Sequence, residues 1–145
     1  MGQLVFAPNA VLYLDTAPII YSVEKHADFW ALMQPVWKAS QAGEIRLMTS
    51  ELALLETLVA PIKNNDYLLT AAYEQLLTQT EIRLLPISAK VLRAAAKLRA
   101  SFGLKTPDAI HAATAIENNC NSFVSNDAGF RRVSNLNAQI LKDLI

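Results

Sequence analysis

Apolar residues follow two alternating rhythms along this chain. Short runs centred on Val11-Leu12-Tyr13-Leu14, Ile45-Arg46-Leu47-Met48, Ile82-Arg83-Leu84-Leu85, Ser122-Phe123-Val124 and Ala138–Leu141 are compact and bounded by polar residues, Pro or Gly. Such runs read as strands, and the nearly continuous ones as strands buried on both faces, as in a parallel sheet. They predict strands at about 10–14, 44–48, 82–86, 122–124 and 138–141. Between them, apolar residues recur every three or four positions, the period of a helix with one buried face.

One helix is predicted from Pro18, with Thr16 as its cap. A second lies within about 28–42 and carries Phe29, Trp30, Met33, Val36 and Trp37; Pro35 is expected to kink or split it, and Gly43 to end it. Thr49 and Ser50 are read as caps for a helix over Leu52–Val59, apolar nearly all round, expected to be buried and closed by Pro61. A third amphipathic stretch covers 64–79. Ser88 opens another helix, with Val91, Ala95, Leu98 and Phe102 on its core face, Lys90, Arg93 and Lys97 on the other, and Gly103 as its stop. Thr106-Pro107-Asp108 is a helix start with a cap, an early proline and an acid in the first turn. A short helix near 127–132 precedes the last strand. Strands alternating with helices predict an α/β fold whose parallel sheet is covered on both sides.

Composition narrows the class. A length of 145 residues suits a single domain, 1–145, with a real core. A hydrophobic share of 52% and only four glycines argue against disorder. The single cysteine, Cys120, excludes a disulfide framework and a cysteine-rich zinc site, and fits a reducing compartment. No apolar run approaches the ~20 residues of a membrane span, and the N-terminus lacks a secretion signal, so a soluble cytoplasmic protein without a membrane partner is expected. Neither a phosphate-binding P-loop nor a dinucleotide fingerprint is present.

The candidate chemistry rests on four acids. Asp15 follows the first strand, Asp108 and Asp127 fall at or near element junctions, and Glu56 sits inside an apolar helix. Asp15 alone reads as a cap, Asp108 as a favourable charge for its helix dipole, and Asp127 as a turn residue. Glu56 is harder to place, because a carboxylate among apolar residues is costly unless paired or liganded. Four carboxylates brought together repel one another unless cations neutralise them. Hard divalent ions take oxygen donors, and two ions about 4 Å apart can activate water against a phosphodiester. Ser125, Asn126, Lys105 and Arg131 are candidates for contacts to substrate, and Arg132 and the Lys90–Arg93–Lys97 stripe for contacts to phosphate. Glu51 is a second choice of metal ligand. His111 shares a helix face with Asp108 and reads as a packed, hydrogen-bonded residue. Two other readings stay open: a fold kept as a non-catalytic binding module, and an aspartyl phosphotransfer enzyme with Asp15 as nucleophile. Against the second, Ala17 stands where such enzymes carry another acid.

Four segments together carry a family resemblance: Tyr13-Leu14-Asp15-Thr16, Thr49-Ser50-Glu51-Leu52-Ala53-Leu54-Leu55-Glu56, Thr106-Pro107-Asp108-Ala109-Ile110-His111-Ala112-Ala113-Thr114-Ala115 and Phe123-Val124-Ser125-Asn126-Asp127. In order and separation, over roughly residues 10–142, the chain resembles PIN-domain ribonucleases, especially the VapC-like toxins of type II toxin–antitoxin pairs. The resemblance implies a three-layer α/β/α sandwich with a parallel sheet, and endonucleolytic cleavage of RNA dependent on Mg2+ or Mn2+. It makes Asp15, Glu56, Asp108 and Asp127 the catalytic, metal-holding quartet, with Ser125 as a polar helper. It also implies a cognate antitoxin and a homodimer, for which the tryptophans and the helices at 28–42 and 64–79 are the expected contacts. Family members often carry another acid soon after the last motif, where this chain has Ala128-Gly129-Phe130. Zero net charge does not exclude RNA: with four acids neutralised by metal, the 13 basic residues exceed the remaining acids by four.

Overall fold

The computed structural model describes residues 2–145. All five predicted strands form: β1 (Val11–Leu14), β2 (Arg46–Ser50), β3 (Arg83–Leu85), β4 (Ser122–Ser125) and β5 (Ala138–Ile140). They pair in parallel in the order β3-β2-β1-β4-β5. The chain moves from β1 outward through β2 and β3, then returns to β1's other side with β4. The order therefore reverses between β1 and β4, and the crevice at the carboxyl ends of these two strands is where such sheets place a site.

Side-chain alternation along β1 assigns the two faces. Leu12 and Leu14 join a core that includes Ile19, Met33, Val36, Ala53 and Tyr73, whereas Val11 and Tyr13 join one that includes Val91, Ala95, Ala109 and Phe130. The first core is built with α1 (Thr16–Val23), α2 (Trp30–Gln41), α3 (Leu52–Lys63) and α4 (Tyr67–Thr78); the second with α5 (Ala89–Phe102) and α6 (Thr106–Glu117). The result is the three-layer α/β/α sandwich. Burial on both faces explains why β1 is apolar at every position rather than at alternate ones.

Several local expectations are corrected. Pro35 does not split α2. Its missing N–H leaves the Ala31 carbonyl without a helical donor, and both residues are exposed, so water can take that place. Pro61 lies inside α3, which runs on to Lys63 instead of closing. Thr49 and Ser50 complete β2 rather than starting a helix, although the Ser50 hydroxyl still accepts from Leu52 N at 3.0 Å. The Thr49 hydroxyl is used inside the sheet, donating to Leu14 O at 2.8 Å. Nor is α3 buried all round: Leu55, Val59 and Ile62 are 61%, 56% and 58% exposed, an apolar face that none of the described residues covers.

Candidate active site

Asp15 is the N-cap of α1, one of the two roles its sequence position offered, and Thr16, the other expected cap, is the first residue of the helix. One carboxylate oxygen accepts from Thr16 N at 2.9 Å and the other from the Ser125 hydroxyl at 2.7 Å, so the ends of β1 and β4 are tied at the switch point. Because Asp15 caps, the Thr16 side chain is free. Its hydroxyl donates to Glu56 Oε1 at 2.7 Å, linking α1 to α3. Glu56 Oε1 also meets His111 Nε2 at 2.6 Å, and Asp15 lies 3.7 Å from the same nitrogen. Ser125 accepts from Asp127 N at 3.0 Å, and Asp127 accepts from Gly129 N at 2.8 Å, opening the 3-10 turn Ala128–Arg132.

His111 is 1% exposed and is set by a second buried group. Its Nδ1 lies 2.6 Å from the Tyr13 hydroxyl. Burial, and then the charge of Asp15, push the Tyr13 phenol well above its ordinary range, so Tyr13 keeps its proton and donates it to Nδ1. Nε2 then carries the hydrogen and donates to Glu56, an assignment that follows from the network of partners. For Glu56, burial alone would raise the carboxyl. Hydrogen bonds from His111 and Thr16 outweigh it and hold the group below its usual value. The acid that looked costly in an apolar helix is thus answered by a histidine on α6 and a threonine on α1.

Asp108 has the opposite environment. Its carboxylate has no hydrogen bond or ion pair among the described residues. Burial first, then the charges of Asp15, Asp127 and Glu56, raise it above the ordinary aspartate value despite His111 nearby. Asp108 therefore feels the other three acids across the crevice. A pocket of about 140 Å³ opens there, lined by Lys105, Asp108, Asp127, Gly129 and Arg132 among others. Among the described residues, no three His, Cys, Asp or Glu side chains stand close enough to hold one ion directly. The donor chemistry nevertheless fits a hard divalent cation that keeps several waters, as Mg2+ does, and a cation would relieve the repulsion on Asp108.

Other expected site residues fall elsewhere. The amide of Asn126 is engaged away from the carboxylates, donating to Tyr21 Oη at 3.1 Å and accepting from Lys142 N at 2.8 Å. Arg131 pairs with Asp143 near the C-terminus, while Arg132 lines the pocket. Glu51 accepts from Ile87 N at 3.2 Å and pins the loop after β3.

A family model, the PIN domain, matches residues 12–136. The chain belongs to the PIN domain family. No protein with a curated description matches it. Among solved structures, this PIN domain is similar to VapBC2 from Rickettsia felis bound to a promoter DNA fragment (20% identity, TM-score 0.71, 90% of this chain and 98% of that one). It is also similar to VapC20 from Mycobacterium tuberculosis, a toxin that cleaves the sarcin-ricin loop (15%, 0.71, 87% and 97%). A third is DNA-bound VapBC from Salmonella typhimurium (14%, 0.68, 91% and 98%). At these identities the likeness is one of fold. What spacing did not reveal in this PIN domain is the set of hydrogen bonds from Thr16 and His111 to Glu56. A residue immediately after a capping aspartate, and a histidine three residues after Asp108, were the available signals.

Proposed function

We propose that this PIN domain is a metal-dependent endoribonuclease and the toxin of a toxin–antitoxin pair. The observation that carries the reading is the half-buried Asp108, facing three other carboxylates with its proton affinity raised and no partner of its own among the described residues. Asp15, Glu56, Asp108 and Asp127 are the residues that would hold Mg2+ or Mn2+, directly or through water. When bound, the metal supplies an attacking water of lowered pKa and offsets negative charge at the scissile phosphate. The chain's own part is positioning. Ser125 orients Asp15, while His111 and Thr16 keep Glu56 ionised and aimed into the crevice. Lys105 and Arg132 flank the pocket and offer cations to phosphate oxygens. Arg131 and Asn126 are less suited to substrate contact, given their other partners.

Purified protein incubated with total cellular RNA is expected to cut it with Mg2+ or Mn2+ and to stop with EDTA. Cleavage that persists in EDTA would remove the metal reading. An intact RNA pool together with no calorimetric Mn2+ binding would favour a non-catalytic binding module.

The partner reading is part of the same proposal. The Rickettsia and Salmonella structures are VapBC assemblies, a family of toxin–antitoxin systems, and two apolar surfaces here suit protein partners. One is a groove of about 400 Å³ between α1, α2 and α4, lined by Trp30, Trp37 and Leu76, which we assign to an antitoxin segment. The other is the exposed Leu55–Val59–Ile62 face of α3, which we assign to a homodimer contact. Val59→Glu places a charge in that face and is expected to give a monomer in sedimentation at concentrations where the wild type is a dimer. A dimer of unchanged strength would exclude the face.

A further inference from the structure

A second groove, of about 420 Å³, lies between α5 and α6 outside the carboxylate site. Lys90, Arg93 and Lys97 line it from α5, Ile116 and Glu117 from α6, and Asn135 from the segment after the 3-10 turn. The three cations are at i, i+3 and i+7 and so share one helix face. Lys90 is answered by Glu117 at 3.4 Å. Arg93 and Lys97 have no acidic partner among the described residues. In a chain of zero net charge, this is a local concentration of positive charge, not a share of a general excess.

The groove and the carboxylate pocket share no lining residue, but three segments of chain lead from one to the other. The loop that ends α5, Gly103 to Lys105, lines the carboxylate pocket. Asp108 and Glu117 are nine residues apart on α6, about 14 Å along its axis at 1.5 Å per residue. Asn135 follows Arg132, which faces Asp108 and Asp127, by three positions. The remaining lining is aliphatic and includes no aromatic ring, so the groove offers cations without a stacking platform.

We propose that this groove binds the phosphates of a single-stranded RNA beyond the scissile bond, an extension that rests on the nuclease reading of the neighbouring site. Phosphate contacts position a strand without reading its sequence, so the groove sets a minimum substrate length and not a base preference. At roughly 3.4 Å per stacked nucleotide, the distance along α6 corresponds to about four nucleotides.

The test uses fluorescein-labelled oligouridylate of about 20 nucleotides and a labelled trinucleotide, with binding followed by anisotropy in EDTA over a salt series. Arg93→Gln combined with Lys97→Gln is expected to weaken the longer oligomer roughly three- to tenfold at low salt. It should also flatten the log K against log salt slope by about 1.4, since each single-strand phosphate contact contributes about 0.7. Trinucleotide binding is expected to stay unchanged. Lys38→Gln with Lys63→Gln removes the same charge from α2 and α3, across the sheet, and is expected to leave the slope alone. Equal affinity and slope in the groove variant would overturn the proposal. So would an equal loss in the control pair, or a loss of polyglutamate binding as large as the loss of RNA binding, which would make the groove a seat for an acidic peptide. Metal-dependent cutting with an unchanged slope sinks the groove alone. The predicted slope change in a protein that never cuts RNA sinks the nuclease reading and leaves the groove.

Discussion

Asp108→Asn is expected to lower RNA cleavage about a thousandfold while leaving the metal-free protein as stable as the wild type, or more so. The two halves share one cause. Asp108 is held half-buried among Asp15, Asp127 and Glu56, with no donor of its own among the described residues, and its proton affinity is raised accordingly. If a divalent ion answers that field, removing one carboxylate weakens the ion's hold and the charge stabilisation it lends the reaction. A loss of about 4 kcal/mol at the transition state corresponds to a thousandfold in rate. In EDTA the sign reverses. The folded state binds the Asp108 proton more tightly than the unfolded chain does, so the wild type loses stability as pH rises from the ordinary aspartate value through the raised one. The asparagine variant has no such loss, and its margin over the wild type should grow across that window and then level off. Thermal melts in EDTA across the acidic range, beside cleavage assays with Mn2+, check both halves. Near-normal cleavage by Asp108→Asn would remove Asp108 from the site. A variant that melts well below the wild type at neutral pH would show that Asp108 supports the fold instead of straining it.

Most of the fold was legible because its signals are local. Five apolar runs became five strands, and the alternation with helical periods led directly to the parallel sheet. The errors have physical causes. Pro35 and Pro61 read as breaks, yet a helix can continue through a proline when packing holds it and the freed carbonyl finds another partner. Leu55 and Val59 read as buried because hydropathy does not distinguish a core from a surface that another molecule covers. Three of the acids were visible at their junctions and Glu56 inside its helix, but their unequal environments were not. Thr16 and His111 are 95 positions apart and both reach Glu56, while Asp108 has no such partner among the described residues. Arg131 and Arg132 looked equivalent as a dipeptide. The 3-10 turn sends one to Asp143 and the other to the pocket.

The largest stability effect is expected at His111. His111→Ala removes the ring between Tyr13 and Glu56 and leaves a cavity under α6. The Tyr13 hydroxyl, fully buried, loses its donor role, which costs about 1–3 kcal/mol, and the void adds to it. A total near 3 kcal/mol lowers the melting temperature by about 10 °C for a chain of this length. Tyr13→Phe is the milder companion. It keeps the ring that stacks on Phe123 at 5.1 Å and removes only the hydroxyl that sets the histidine tautomer, for about 1 kcal/mol. The two variants separate packing from positioning. If the network serves Glu56, both should weaken Mn2+ binding in calorimetry, by roughly tenfold or more for the alanine variant, because groups behind a metal ligand orient it. The acid limb gives an independent reading. Hydrogen bonds from His111 and Thr16 hold Glu56 below its ordinary value, so their stabilisation is present above the unfolded glutamate value and fades as pH falls through the depressed one. The wild type's advantage over Glu56→Gln should therefore shrink on acidification, and shrink less in the His111→Ala background. Unchanged Mn2+ affinity in Tyr13→Phe and in a folded His111→Ala protein would confine the histidine to packing.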